Sequence, residues 1–136
     1  MILGWTLPND MSVRKTSTEA FKIALKRRKM NRKLLLHSGH GVQYCCAEFR
    51  QTIRQSKVVE QSMSRKGCYW DNAPADSFFK TLKSELVYKN DYKNFEEAKK
   101  PIFDYIERWY NPHRKHSTLG YMSPKKKYLL LTQATS

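Results

Sequence analysis

Apolar residues recur along this chain in two periods, and the switches between them mark its elements. Ile2 to Leu7 (ILGWTL) is short, apolar and aromatic and predicts a strand, closed by Pro8-Asn9-Asp10. Ser17-Thr18-Glu19 reads as a helix opening, after which Ala20, Phe21, Ile23, Ala24 and Leu25 face inward. The far end, Lys26 to Lys33, is basic, which suits the negative end of a helix dipole and equally suits phosphate. Leu34-Leu35-Leu36 predicts a buried strand, Ala47 to Gln55 a helix with Phe49 and Ile53 inward, and Lys57 to Met63 a third strand. A buried strand beside strand–helix alternation predicts a parallel pair in an α/β sheet.

The stretch from Ser62 to Leu86 runs from a basic turn, Arg65-Lys66-Gly67, through aromatics into another helix. Asp71 or Asn72 suits its cap and Pro74 its first turn, and Asp76 sits near its positive end. Phe78, Phe79, Leu82 and Leu86 predict its apolar face. Asn94 and Glu97 form a capping-box pattern for the next helix, with Phe95, Ala98, Ile102, Ile106 and Trp109 as its core stripe. Pro101 interrupts that helix, at a cost of about 3 kcal/mol in a regular interior, and predicts a kink or a drifted sequence. Tyr110-Asn111-Pro112 ends the helix, and Ser123-Pro124 opens a last short one with Lys125 to Lys127 solvated.

Charge turns this outline toward a partner. There are 26 Lys and Arg against 12 Asp and Glu, a net charge of +14, which points to a polyanion and most simply to nucleic acid. Three cysteines, Cys45, Cys46 and Cys68, suit reduced thiols in a cytoplasmic setting and read as small apolar residues. No stretch is apolar for long enough to suggest a membrane span. At 136 residues one domain is expected, with its core over about 1–110 and a basic motif and tail over 111–136. A zinc site does not follow: His37 and His40, and His113 and His116, repeat a spacing of three, but no paired-cysteine knuckle accompanies them.

Three blocks carry further chemistry: HSGHGVQY from His37 to Tyr44, SMSRKGCYWDNAPADSFFKTLKSEL from Ser62 to Leu86, and YNPHRKHSTLGYMSP from Tyr110 to Pro124. Together they resemble the integrase-like catalytic domain of bacterial insertion-sequence transposases, the two-reading-frame group. The resemblance implies an RNase H-like fold, a mixed five-stranded sheet flanked by helices. It also implies a triad of acidic residues binding Mg2+ or Mn2+, with strand cleavage and transfer by two-metal chemistry.

Carried onto this sequence, the triad is incomplete. The family's first Asp lies on a strand upstream of ILGWTL, so an N-terminally truncated copy is expected. The second Asp falls at Gly39, which has no ligand atom, and the Glu falls at Asp76, a shorter acid and the one remaining candidate metal ligand. Thirty-six residues separate these two positions, close to the family spacing, so the alignment holds where the chemistry does not. Loss of the first strand predicts a chain that is unstable alone or completes its sheet by association with itself or with full-length transposase subunits.

Arg65, Lys66, Tyr69, Trp70 and Asn72 in the second block, and Arg114, Lys115 and His116 in the third, are the candidate DNA contacts. Tyr69 and Trp70 suit stacking on unpaired bases and equally suit a core. The leading reading is a transposase-related protein of DNA integration that has lost catalysis. The alternatives are an active strand-transfer enzyme with an incomplete triad, or an inhibitory fragment that binds DNA or a transposase.

Overall fold

In a computed structural model of the chain, the structure describes residues 1–8, 13–28, 33–65 and 72–134. The chain divides into two compact units, Leu3–Thr81 and Met1–Ile2 with Leu82–Ser136.

In the first unit the elements are α1 (Val13–Arg27), β1 (Leu34–Ser38), α2 (Val42–Cys45), α3 (Ala47–Ser56) and β2 (Val59–Met63), followed by α4 (Ala73–Glu85), whose last residues belong to the second unit. Strands β1 and β2 pair in parallel, Leu34 opposite Val59 and Ser38 opposite Met63, which makes this a mixed helix and strand protein with a two-stranded parallel sheet among the described residues. Phe49 and Ile53 of α3 are buried as their spacing predicts. With Phe21 and Val59 they form the core, against which Leu25, Leu34, Leu36, Tyr44 and Cys46 pack. Phe21 and Tyr44 each bring a ring to 5.5 Å from that of Phe49, a favourable aromatic spacing. α3 ends at Lys57, whose left-handed backbone (φ 55°) turns the chain into β2.

Four expectations need correction here. Ile2 to Leu7 is not a strand. Its Gly4 lies so close to α1 that a Cβ there would collide with the Ala20 carbonyl oxygen, and Thr6 Oγ1 donates to the Thr16 carbonyl at 3.1 Å. The segment therefore spends its contacts on a helix rather than on a sheet. Ser17-Thr18-Glu19 does not open α1, which begins at Val13, and Thr18 is fully buried inside it. β1 is not a buried strand. Leu34 and Leu36 face the core while Leu35 is 65% exposed, because one face of the sheet is covered by helices. Three consecutive leucines conceal that alternation. On α4, Phe78 is buried but Phe79 is exposed, since adjacent helical residues point about 100° apart.

The second unit contains the end of α4, a 3-10 turn (Val87–Lys89), α5 (Phe95–Phe103), a π-helical stretch (Asp104–Tyr110), a 3-10 turn (Ser117–Leu119) and α6 (Pro124–Gln133). Asn94 caps α5 by accepting from Glu97 N–H at 3.0 Å, while Glu97 accepts from Lys93 N–H, one residue before the cap, also at 3.0 Å. Pro101 is accommodated inside the helix, and three residues later the chain widens into π geometry, with Asn111 N–H donating to the Ile106 carbonyl at 3.1 Å. That widening corrects the predicted stripe. Ile102, Ile106 and Tyr110 face inward at intervals of four, joined by Tyr105, and Trp109 is turned out. Ser123 caps α6 with Pro124 in its first turn, as expected.

Candidate strand-end site and C-terminal motif

Parallel strands gather their C-terminal ends on one edge, and in open α/β sheets that edge is where ligands bind. Here β1 ends at Ser38, next to Gly39, and β2 ends at Met63, next to Ser64 and Arg65. Ser64 ties the ends together. Its N–H donates to the Ser38 carbonyl at 2.9 Å, and its hydroxyl contacts the same carbonyl at 3.2 Å. The His37 ring reaches both neighbouring serines, with Nδ1 3.2 Å from Ser62 Oγ and Nε2 3.5 Å from Ser64 Oγ. Asn72, immediately before α4, donates from Nδ2 to Ser64 Oγ at 3.2 Å. A chain of short polar side chains thus joins the strand ends to the start of the helix that carries Asp76.

The two positions that the resemblance pairs with acidic residues differ. A Cβ on Gly39 would lie 3.1 Å from Asn72 Nδ2, so the amide occupies space beside the position and no oxygen ligand issues from it. Asp76 is exposed in the first turn of α4, at the positive end of the helix. Among the described residues no three His, Cys, Asp or Glu side chains converge as a metal would require. Magnesium needs several hard oxygens in near-octahedral order, and one exposed carboxylate does not supply them. The residues described here do not fit a two-metal centre.

Of the candidate DNA contacts, Arg65 is exposed beside the strand ends and Asn72 belongs to the network just described. Lys66, Tyr69 and Trp70 lie outside the described residues, as do Cys68 and Asp71.

Arg114, Lys115 and His116 lie in the second unit, in a different setting. Arg114 grips Glu85 with two nitrogens, Nε at 3.0 Å and Nη2 at 2.7 Å, and its guanidinium sits 5.9 Å from the centre of the Tyr110 ring. Tyr105 donates its hydroxyl to the same carboxylate. The Arg114 hydrogen bonds hold the Glu85 carboxyl below its ordinary value, against the opposing pull of burial. Burial and the Glu85 charge push the Tyr105 hydroxyl strongly upward. His116 packs edge-on against Tyr110 at 5.1 Å. Burial, with the Arg114 charge, lowers its pKa. Lys115 is exposed.

Asn111 is equally committed. Its side chain accepts from Ile2 N–H at 2.8 Å and donates to the Ile2 carbonyl at 3.0 Å, while its own carbonyl accepts from Lys125 N–H at 2.9 Å. Sequence reasoning missed this cluster and the Ser64 network. Its one available signal was the repeated use of short polar residues and an Asn-Pro at the ends of elements.

Comparison with known proteins agrees with the three-block resemblance. The integrase core domain family matches over residues 76–127. The transposase InsF for insertion sequence IS3A of Escherichia coli (strain K12) is 35% identical over 125 residues, covering 92% of this chain and 43% of the relative. The transposase for insertion sequence element IS904 of Lactococcus lactis subsp. lactis (strain IL1403) is 40% identical over 124 residues, covering 91% of this chain and 48% of the relative. The chain spans less than half the length of these curated relatives. No solved structure gives a significant match. No described helix is long and apolar enough to cross a membrane.

Proposed function

We propose that this chain, a relative of the insertion-sequence transposases matched by the integrase core domain family, binds DNA through its basic surface but does not carry out strand transfer by itself. Its fold is then part of an RNase H-like core. The observation that carries the loss of chemistry is Gly39: the loop after β1 is in place, tied through Ser38 and Ser64 to Asn72, yet the residue that should offer an oxygen has no side chain. Asp76 is left as a single carboxylate at the start of α4. In the family the divalent metal activates the attacking oxygen and stabilises the leaving one. No step is assigned to it here, because the ligands do not fit.

What the chain's own residues do is present positive charge. Arg65 at the strand ends and Lys115 in the third block are exposed cations suited to phosphate. Lys66, Tyr69 and Trp70 complete the proposed contacts by sequence, while Arg114, held by Glu85, and His116, packed on Tyr110, shape the motif that presents Lys115. Partners of the same kind, another copy or a full-length transposase subunit, would complete the sheet, which has two strands among the described residues.

The test is a strand-transfer assay with Mg2+ or Mn2+ and the element's terminal DNA, run beside a salt titration of duplex binding. Binding that weakens steeply with salt, with no joined product, is expected. Metal-dependent product that disappears in Asp76→Ala would reverse the assignment, and binding indifferent to salt would remove the charge argument.

A further inference from the structure

The widening that turns Tyr110 inward turns Trp109 outward. Its side chain is half exposed, and the His113 ring braces it at 6.1 Å with a 34° tilt. The His113 N–H donates to the Trp109 carbonyl at 2.9 Å, which fixes that spacing in the backbone. Farther along, Tyr121 is 72% exposed although its backbone sits at φ 57°, directly after Gly120 at φ 63°. The left-handed region disfavours any residue with a Cβ. Strain of this kind persists where the surroundings impose it or a function uses it. Burial of the ring gives no reason for a tyrosine here. Both exposed aromatics bound the 110–120 stretch, which is closed on itself where Tyr121 N–H donates to the His116 carbonyl at 2.9 Å and where the His113 and Arg114 N–H groups both donate to the Trp109 carbonyl.

We propose that Trp109, braced by His113, and Tyr121 form a stacking surface for the unpaired bases of single-stranded DNA, with Lys115 meeting the phosphate. Flat rings interleaved with cations are what a single strand uses, because every base has a face to stack and every nucleotide a charge. The net charge of +14 selects the same polyanion. The inference rests on the DNA-binding reading above and adds to it a surface for an unpaired strand.

The experiment measures fluorescence anisotropy of a labelled single-stranded oligonucleotide and of its duplex with the full chain and three variants. Trp109→Ala is expected to weaken single-strand binding about tenfold and duplex binding by less than about twofold, with Trp109→Phe restoring most of the loss. Tyr121→Gly is expected to raise the melting temperature while weakening the single strand, a pairing that a purely structural tyrosine would not give. An unchanged single-strand affinity in Trp109→Ala, or equal losses on both DNAs, would overturn the proposal. So would a Tyr121→Gly chain that gains stability and keeps its affinity. Wild-type chain that binds neither DNA would sink the DNA-binding reading as well. Salt-dependent duplex binding with single-strand binding indifferent to Trp109 would sink this inference alone.

Discussion

At the ends of β1 and β2 the short polar residues Ser38, Ser64 and Asn72 are hydrogen-bonded to one another, and of the two positions that the resemblance pairs with acidic residues, Gly39 follows β1 and Asp76 is exposed on α4. In the Leu82–Ser136 unit the matched motif residues have kept their polar side chains, and the fold occupies them. Arg114 is bound to Glu85 and Asn111 to Ile2, and Ser123 caps α6. On the proposed reading the first region keeps a frame without its chemistry, whereas the second uses the motif's polar side chains in the frame itself. A basic motif such as RKH is therefore not a uniform row of DNA contacts. Lys115 is available in a way that Arg114, with its guanidinium held by a carboxylate, is not.

The comparison breaks hardest at Gly4. Adding a methyl group there drives it into the Ala20 carbonyl and the Ala24 nitrogen of α1. Gly4→Ala is expected to destabilise the Leu3–Thr81 unit by about 3 kcal/mol, read by chemical denaturation, or to free the N-terminal segment from the helix, read by hydrogen exchange. Unchanged protection would mean that the segment does not pack on α1.

Glu85→Ala comes next. It leaves Arg114 and the Tyr105 hydroxyl without their shared acceptor in a partly exposed site. The expected loss is about 2 kcal/mol, lowering the melting temperature of the second unit. Duplex affinity should stay level or rise slightly as Arg114 is released. A large fall in affinity at unchanged stability would instead make the pair part of the DNA surface.

Acid sharpens the same contrast in two steps. The folded pKa of His116 is lowered from 6.5, so the unfolded chain takes up its proton first, and stability present above pH 6.5 declines as pH falls below it. The folded pKa of Glu85 is lowered from 4.5, so its contribution, present above that value, is lost as pH falls through the folded pKa. Melting temperatures at pH 7, 5.5 and 3.5 should show both declines, and Glu85→Gln should remove the second alone.

The smallest effect is expected at Gly39. A Cβ there meets only the end of the Asn72 amide, which can shift, so Gly39→Ala should change stability by less than about 1 kcal/mol. A large loss would mean that the strand-end frame depends on the glycine.

Much of this architecture was legible in the sequence. A parallel strand pair, the strands at Leu34–Leu36 and 57–63, the α3 core residues Phe49 and Ile53, and the Asn94 and Ser123 caps follow from local pattern, while the choice of the 57–63 segment as the partner of Leu34–Leu36 does not. The misses have physical reasons. Ile2–Leu7 has strand composition, but a single glycine lets it approach a helix instead. Trp109 falls on a 3.6-residue stripe, and periodicity does not register a π turn, which moves the buried position to Tyr110. Glu85 and Arg114 lie 29 residues apart, beyond the reach of any local rule. The site positions Gly39 and Asp76 came from the family resemblance, and nothing in periodicity would have singled out a glycine.

The most direct measurement of the central claim is a Mn2+ titration followed by electron paramagnetic resonance, comparing the full chain with Asp76→Ala. Superimposable titrations with no saturable site are the predicted result. A saturable site that vanishes with Asp76 would show that a working ligand set survives around Gly39 and would contradict the account.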